Sequence, residues 1–423
     1  MVPPAKTFVA ALAAAVGALL APEPARADPA CDAYVADVLA HQPTIHAAML
    51  RRDALLSDAS GVRIWPDPTL TVMADYLPGS LGTVGVQMPM MRYQLAQMVM
   101  WPGKLPAMSD ALHSEADAAG AAADTKRLDL TLEARRAFFM LVSNGKRREL
   151  NRAARGLAAV ITSAAIGRYG SQSGEHHEVA RAELEVQALD LELASIEGER
   201  KSVLAMINAL RNQPPDATFD DPRVVSWTGP RSFDVEALMT LAIAQRAELR
   251  QMTAMQAGMT NMARLARKEP YPDFMVGAWF NQMIMGGPHS FGFMLGTTLP
   301  TWGIERARFK AEAFDERARA VADEATAMRA MIRAQVVDAL TQFETASRLV
   351  TLLEASAMPK ARESFDSSLS GYSAGTADII AVLDARRSLQ STERMLIDAR
   401  VQREVALALL ERAVGGAPGG TVP

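Results

Sequence analysis

Two groups of residues carry side chains that could bind a metal ion, and the first is Glu175-His176-His177-Glu178. Its imidazoles and carboxylates suit borderline ions such as Zn²⁺ and Co²⁺. It is not the H-E-x-x-H zinc motif, because Arg181 stands where the second histidine is required. A solvated helix start is the alternative interpretation and the favoured one, which leaves His176 and His177 as weak metal candidates.

The second group is methionine, with 24 residues in the chain. The thioether sulfur is a soft ligand that favours Cu(I), which suits a copper or silver exporter. The alternative, which we favour, is that methionine serves as flexible apolar filler. The weak metal candidates are Met98, Met100 and Met294. Methionine is concentrated in two regions: Met88, Met90, Met91, Met98 and Met100 in the first, and Met283, Met285 and Met294 in the second.

No motif in the sequence indicates catalysis. Pro102-Gly103-Lys104 is not a phosphate-binding loop, because Met98 stands where that loop needs a glycine. The formal charge of -4 on 423 residues gives no basic surface for nucleic acid. The sequence therefore predicts a protein that is not an enzyme, has no cofactor and does not bind nucleic acid.

Residues 1–27 have the form of a secretory signal peptide. Lys6 precedes an apolar run from Phe8 to Ala21, and Ala25-Arg26-Ala27 fits the cleavage pattern. We expect the mature chain to start near Asp28. Beyond it, charged residues interrupt every helical segment, so none approaches the roughly 18 to 20 apolar residues of a spanning helix. A membrane location would have to come from strands.

Cys31 is the only cysteine, which rules out an internal disulfide and a multi-cysteine metal site. It could instead carry a lipid at the mature N-terminus. The preceding Asp28-Pro29-Ala30 does not resemble a lipobox, which has an apolar residue three before the cysteine. The sequence leaves lipidation of Cys31 open.

The mature chain contains two copies of one unit, offset by about 202 to 206 residues. Each copy has two alternating strand segments, a glycine-containing exit and two long helices. The predicted boundaries are 28–214 for the first repeat, 215–236 for a linker, 237–414 for the second repeat and 415–423 for a flexible tail.

The helices predicted in each repeat are much longer than a globular domain needs. Matching apolar residues recur in steps of 4, 3 and 4, which places them on one helix face. The longest tracts correspond to helices on the order of 80 to 90 Å, which favours coiled-coil packing. The predicted helices are 106–166, 175–212, 304–370 and 377–413.

Four segments alternate between apolar and small or polar residues, as strands do. Segments of this kind are typical of a transmembrane barrel, but four strands cannot enclose an open pore. Several chains must then contribute. An ordinary half-buried sheet in a periplasmic domain is the alternative. The predicted strands are 69–77, 91–101, 274–284 and 290–299.

This arrangement resembles the TolC family of outer-membrane channels over nearly all of the mature chain. The run from Gly371-Tyr372 through Gly375 to Ala385 looks like the family's tip motif, and the segment Gly174 to Leu184 is similar. Pro102-Gly103-Lys104 looks like the exit from barrel to helix, and Leu299-Pro300-Thr301-Trp302 like its counterpart. In two respects the sequence departs from the pattern: the first turn is longer by about two residues, and the hairpins are rich in methionine.

The resemblance implies a mainly α fold with β strands and an internal duplication. Three copies would share a transmembrane β-barrel, four strands from each and twelve in all, continued by an α-barrel of long antiparallel helices. Implied partners are a second and third copy of the chain, a periplasmic adaptor, an inner-membrane RND transporter and outer-membrane lipid. Met100 to Lys104 and Arg181 to Glu185 look like the heavy-metal efflux branch.

The resemblance also implies a role for the turns between paired helices, which gate the periplasmic aperture and meet the adaptor in this family. Asp378, with Thr376, can cap the returning helix. If three protomers bring Asp378 together, the ring would favour cations. A cap alone is the alternative for Asp378. The residues concerned are Tyr169, Gly170, Gly174, Tyr372, Gly375, Thr376 and Asp378.

Two other classes of protein compete with the channel. A periplasmic adaptor also combines a helical hairpin with β structure, but usually has one hairpin and separate lipoyl and barrel domains. A structural coiled-coil protein of the envelope is the second. The channel interpretation predicts that the strands and the helical hairpin occur twice, in matching order. It places the protein in the outer membrane, with a large periplasmic portion.

Overall fold

The computed structural model describes residues 28–75, 90–172, 174–222, 225–283, 286–299, 301–374 and 376–418. The predicted signal peptide lies outside these residues, as do Met88, Met285 and Gly375. In chain order the elements are α1 (Pro29–His41), α2 (Pro43–Gly61), β1 (Thr69–Asp75), β2 (Met90–Val99), α3 (Lys104–Gly170), α4 (His176–Leu210), α5 (Val235–Gln245), α6 (Ala247–Lys268), β3 (Phe274–Met283), β4 (Ser290–Thr297), α7 (Gly303–Leu352), a π-helical turn (Leu353–Ala357), α8 (Met358–Ser373) and α9 (Ile379–Val414).

The prediction of a mainly helical chain with four strands is confirmed. One predicted helix, 304–370, is divided by the π-helical turn at Leu353–Ala357. Pro359 follows directly at the start of α8. Proline lacks an N–H group and its ring clashes with the carbonyl four residues earlier, and a π-helical turn is a way to absorb that disruption.

Four shorter helices, α1, α2, α5 and α6, were not predicted. Their start signals are present in the sequence: Asp28 and Asp234 accept hydrogen bonds from first-turn N–H groups, and Pro29 and Pro43 stand at the first position of α1 and α2. Proline suits that position because its missing N–H has no intrahelical partner there anyway. No described helix has the length and apolar content needed to cross a bilayer.

The four strands form one antiparallel sheet in the order β1-β2-β3-β4, so β2 and β3 join the two halves of the sequence. Tyr93 lies opposite Phe280, which lies opposite Phe291. Paired residues share a face, and this register puts large apolar side chains on one face. The exposed apolar members of this face, called the apolar face, are Leu70, Val72, Tyr93, Leu95, Val276, Phe280, Phe291, Phe293 and Leu295. Met91, Gln97 and Gln282 also lie on it.

The opposite face of the sheet, the polar face, mixes polar, small and methionine side chains with one aromatic residue, Trp279. Arg92 donates to Asn281 Oδ1 at 3.1 Å, and Asn281 donates to Ser290 Oγ at 3.2 Å, which links three strands. Its members are Thr69, Thr71, Met73, Met90, Arg92, Gln94, Ala96, Met98, Met275, Gly277, Trp279, Asn281, Met283, Ser290, Gly292, Met294 and Gly296.

The chain divides into two compact units. The first comprises Met1–Pro43, Lys126–Arg246 and Met331–Pro423, and the second comprises Thr44–Thr125 and Ala247–Ala330. Each unit therefore combines segments from both predicted repeats. The sheet belongs to the second unit. The first unit contains the largest aromatic core, where Tyr34 stacks on Phe138 with ring centroids 6.2 Å apart.

Cys31 lies inside this core, 1% exposed. Burial raises the pKa of its thiol to about 12, so it is neutral and unreactive at neutral pH. The Asp28 carboxylate caps α1 through Ala30 N at 2.8 Å and also accepts from Ser226 N at 2.6 Å. Asp28 and Cys31 are therefore structural parts of the first unit, one as a helix cap and the other as a core residue.

Two carboxylates of α9 are buried in the first unit. Glu404 accepts hydrogen bonds from Thr228 N at 2.7 Å and Thr228 Oγ1 at 2.6 Å, and Glu411 forms an ion pair with Arg135. Burial raises the pKa of Glu404 and of Glu411, because desolvation disfavours the charged form more than these partners favour it.

Glu404→Gln should flatten the pH dependence of stability. Because the folded-state pKa of Glu404 lies above the ordinary value of 4.5, the folded state binds this proton more tightly than the unfolded chain. The free energy of unfolding therefore falls as the pH rises from 4.5 through the folded pKa. Midpoints of heat denaturation across this range should fall less steeply in the variant, with a residual slope from Glu411. An identical slope would contradict this account.

Candidate functional site: the helical tips and the polar face of the sheet

The predicted tip residues lie around one apolar cluster in the first unit. It joins the end of α3, the start of α4, the end of α8 and the start of α9, so both halves of the sequence contribute. Tyr372 is its aromatic member, and the Arg168 guanidinium lies 4.8 Å from the centre of its ring. The cluster consists of Ile161, Ala165, Val179, Ala182, Phe365, Tyr372, Ile379, Val382, Leu383 and Ala385.

The turn between α3 and α4 differs from its prediction in one respect. Gly170 is the last residue of α3, and Gln172 rather than a glycine takes the left-handed conformation, with φ of 59°. Gly174 is required by close packing, since a Cβ there would lie 2.9 Å from Glu178 Oε2 and 3.1 Å from Arg168 Cβ. Tyr169 contacts the His176 ring at 5.6 Å between centroids.

The turn between α8 and α9 is held by backbone hydrogen bonds. Gly371 lies within α8, and its carbonyl accepts from Thr376 N at 2.9 Å, Ala377 N at 3.1 Å and Thr376 Oγ1 at 3.1 Å. Asp378 stands at the N-cap position of α9, but its side chain makes no cap hydrogen bond. The predicted capping of α9 by Asp378 and Thr376 is therefore not formed. Thr376 donates to the Gly371 carbonyl of α8 instead, and the Asp378 carboxylate is exposed.

Beside the tip, a buried ion pair joins α4 to α9. Glu185 is paired with Arg386 and Arg387, and Glu185 and Arg386 are almost fully buried. Burial lowers the pKa of the Arg386 guanidinium, an effect that the charge of Glu185 opposes. Two helical turns away, Arg394 donates to Glu192 Oε1 at 3.1 Å. Of these residues, the sequence analysis named only Glu185, within a segment that resembles the family. The signal for the ion pair was a charged residue at a position where the helical period places apolar side chains.

The paired residues in this network occupy equivalent positions in the two repeats. Glu185 and Arg387 are separated by 202 residues, as are Glu192 and Arg394. This separation falls within the repeat offset read from the sequence. The two returning helices therefore run side by side in matching register.

The histidine cluster does not converge on a common point. His177 Nδ1 lies 2.9 Å from Glu175 Oε2, His176 packs on Tyr169, and Glu178 turns into the protein. Across the described ranges, no group of three or more His, Cys, Asp and Glu side chains could hold a metal ion.

The methionine candidates are placed differently. Met98 and Met294 lie on the polar face, whereas Met100 follows the end of β2. Met275, which sequence reasoning did not select, lies opposite Met98 on β3. Its signal was available in the sequence, because Met275 stands between Phe274 and Val276, and side chains in a strand alternate between its two faces.

The predicted exit from strand to helix is a structural junction in the second unit. Lys104 Nζ donates to Asp273 Oδ1 at 2.9 Å and to the Tyr271 carbonyl at 2.8 Å, and Trp101 N donates to Asp273 Oδ1 at 2.7 Å. Gly103 takes a φ of 88°, which favours glycine. Lys104 is thus occupied in joining β2 to the segment before β3, not in binding a phosphate.

Comparison with known proteins agrees with this architecture. Residues 238–416 match the model of the family described as outer membrane efflux protein. A search of curated proteins finds no match.

Solved structures match almost the whole chain. A membrane protein from Pseudomonas aeruginosa has a TM-score of 0.79 and 20% identity, covering 92% of this chain and 91% of its own. The outer membrane protein VceC from Vibrio cholerae has a TM-score of 0.77 and 18% identity, covering 93% and 97%. The CmeC outer membrane channel of Campylobacter jejuni has a TM-score of 0.75 and 14% identity, covering 92% and 86%. At these identities the likeness establishes the fold.

The fold and the family match agree with each other. The chain has the fold of solved outer-membrane channels, and residues 238–416, less than half of its length, match the outer membrane efflux protein family. The adaptor interpretation fits less well, because the described chain carries strands and a long hairpin twice.

Glu185→Gln should destabilise the tip strongly. It leaves the buried Arg386 charge without its counter-charge, which costs about 3–5 kcal/mol, whereas replacing both by leucine costs much less. Thermal denaturation and proteolysis of the helix ends would measure the difference.

The exposed pair Arg155 and Asp190 on α3 and α4 offers a matched control. Because both side chains are solvated, Asp190→Asn should leave the denaturation midpoint nearly unchanged. Equal losses from Glu185→Gln and Asp190→Asn would show that the buried pair has no special role.

Proposed function

We propose that three copies of this chain form the outer-membrane channel of a tripartite efflux system. The observation that carries the proposal is the sheet: one face is made mainly of exposed bulky apolar side chains, and the other mainly of polar, small and thioether side chains, with Trp279 as the aromatic exception. Lipid contact would cover the first face, and a water-filled lumen would solvate the second.

The edges of the sheet support a shared structure. Within the described strands, β1 and β4 each have one neighbour, so each has an edge without a partner strand in this chain. Unpaired backbone groups in hydrocarbon each cost several kcal/mol, so a sheet in lipid has to close on itself. Pairing β4 of one copy with β1 of the next closes the sheet with the twelve strands of a trimer.

The helical tips are the proposed docking surface for the periplasmic adaptor, which connects the channel to an inner-membrane RND transporter. The tip residues Tyr169, Thr376 and Asp378 are exposed, although they belong to turns with well-packed surroundings. Exposed residues on rigid turns suit a contact with another protein.

The solutes proposed for export are heavy-metal cations. Two features support this substrate class: the methionine side chains on the polar face and the short matches to the heavy-metal branch near Met100 and Glu185. Soft thioether ligands favour Cu(I) among the biological metals.

The channel function is tested with the purified mature protein. It should require detergent, migrate as a heat-sensitive trimer and give discrete conductance steps in a planar bilayer. A stable, water-soluble monomer without conductance would overturn the proposal. A deletion strain tested against copper, silver, zinc, cobalt, cadmium and a few dyes would then identify the substrate class from the spectrum of lost resistance.

Asp378→Asn should reduce the cation preference of the channel. Three exposed Asp378 carboxylates at a common aperture would attract cations, and the amide removes this charge while keeping the shape. Reversal potentials in asymmetric KCl measure the preference. Glu363→Gln, an exposed carboxylate elsewhere on α8, is the matched control and should have little effect. An unchanged reversal potential in Asp378→Asn would reject a role for this residue in ion selection.

A further inference from the structure

Three methionines lie together on the polar face of the sheet. Met98 on β2 is the direct cross-strand partner of Met275 on β3. Met294 on β4 pairs with Gly277, two residues along β3 from Met275, and is therefore its diagonal neighbour. Opposite side chains in an antiparallel sheet are about 4.5–5.5 Å apart at Cβ, and diagonal ones about 7–8 Å, within reach of long side chains.

The residues between these methionines are small, and neighbouring side chains occupy the space above them, since Ala96 is only 6% exposed. Gly296 lies opposite Met275, Gly277 lies opposite Met294, and Ala96 completes that row. A Cβ added at Gly296 would lie 3.7 Å from Met275 Cβ, which shows how directly the two positions adjoin. Because methionine has three rotatable bonds, its sulfur can move into this space.

The Met294 sulfur already extends across the sheet. Gln94 Nε2 on β2 donates a weak hydrogen bond to Met294 Sδ at 3.8 Å, so the side chain crosses β3 above Gly277. Gln94 lies on the other side of Ala96 from Met98 along β2, so the Met294 side chain has to turn along the sheet to bring its sulfur to Met98 and Met275. Methionine has the rotatable bonds for this movement. A bound cation would replace the amide as the partner of the sulfur.

The position of these side chains argues against apolar filler. Met98 is 42% exposed and Met275 is 37% exposed, on the face that also carries Arg92, Gln94 and Asn281. Filler belongs in a core or against lipid, and this sheet has a separate apolar face for that purpose.

We propose that Met98, Met275 and Met294 form a three-thioether site for a soft monovalent cation, Cu(I) or Ag(I), on the lumen side of the sheet. The inference rests on the proposed channel function, from which the lumen follows. Thioethers are neutral and do not titrate, so binding should be insensitive to pH. Neutral ligands also allow release, which a conduction path needs. Zn²⁺ prefers nitrogen, thiolate and carboxylate ligands and should not use the site.

The test compares silver binding by the purified full-length trimer with that of the variant M98L/M275L/M294L. Leucine keeps the volume and apolar character of methionine but removes the sulfur. Equilibrium dialysis against silver nitrate, with metal analysis, should show one tight site per chain in the unaltered protein. Affinity should fall by roughly 100-fold or more in the variant, since even indirect partners of metal ligands contribute about 10- to 100-fold.

The control variant M91L/M331L/M395L removes three methionines elsewhere and should bind silver like the unaltered protein. One of them, Met91, lies on the other face of β2 and pairs with Gln282. X-ray absorption at the silver edge should report sulfur neighbours that M98L/M275L/M294L loses. Equal silver binding by both triple variants and the unaltered protein would overturn the site. Conductance is recorded on the same samples. If the channels conduct but silver binding does not depend on the three methionines, this inference alone is refuted. If the unaltered protein does not conduct, the proposed function is refuted.

Discussion

The constraint on which the structure depends is that no described part of the chain covers the apolar face of the four-stranded sheet. Phe291, Phe293 and Leu295 are more than three quarters exposed in the single chain. Covering a side chain of this size stabilises a structure by about 1.5–3 kcal/mol, so this surface needs a partner medium. In the proposed channel, lipid provides it without a second layer of protein. The requirement explains why bulky apolar residues are concentrated on one face of the sheet. The exceptions are Gln97 and Gln282 on that face and Trp279 on the other.

The long helices hold the two halves of the chain in register. In the first unit, residues equivalent by the repeat pair with each other across α4 and α9, with Glu185 contacting Arg387 and Glu192 contacting Arg394. A buried pair adds little net stability, but a shift in register would leave its charges without partners. The apolar cluster at the tip is then fixed in position, so that the exposed Asp378 sits on a rigid turn. Specific pairing, more than burial alone, thus defines the geometry of the helix ends.

Much of this architecture could be predicted from the sequence because periodicity reports which side of an element is apolar. Strand alternation identified the faces of all four strands, and the lengths of the helical tracts predicted helices beyond globular size. Periodicity does not give register, so the proximity of Met98 and Met275 could not be predicted without the sheet pairing. Side-chain partners that are distant in sequence, such as Thr228 for Glu404, could not be predicted for the same reason. Asp378 shows the limit of local rules, since a residue type that favours caps stands at the cap position and makes no cap hydrogen bond.

The central claim is that, of two adjacent residues in one strand, one faces lipid and the other faces water. Spin labels on β1 test this claim most directly. A nitroxide is attached to the new cysteine in each of the variants Val72→Cys and Thr71→Cys, and each protein is reconstituted into vesicles. The native Cys31 is buried in the core and should not react with the label. Collision with oxygen, which concentrates in lipid, should dominate at position 72, and collision with a water-soluble nickel chelate should dominate at position 71. Equal exposure of both labels to the nickel chelate would mean that the apolar face lies in water, and the account would be wrong.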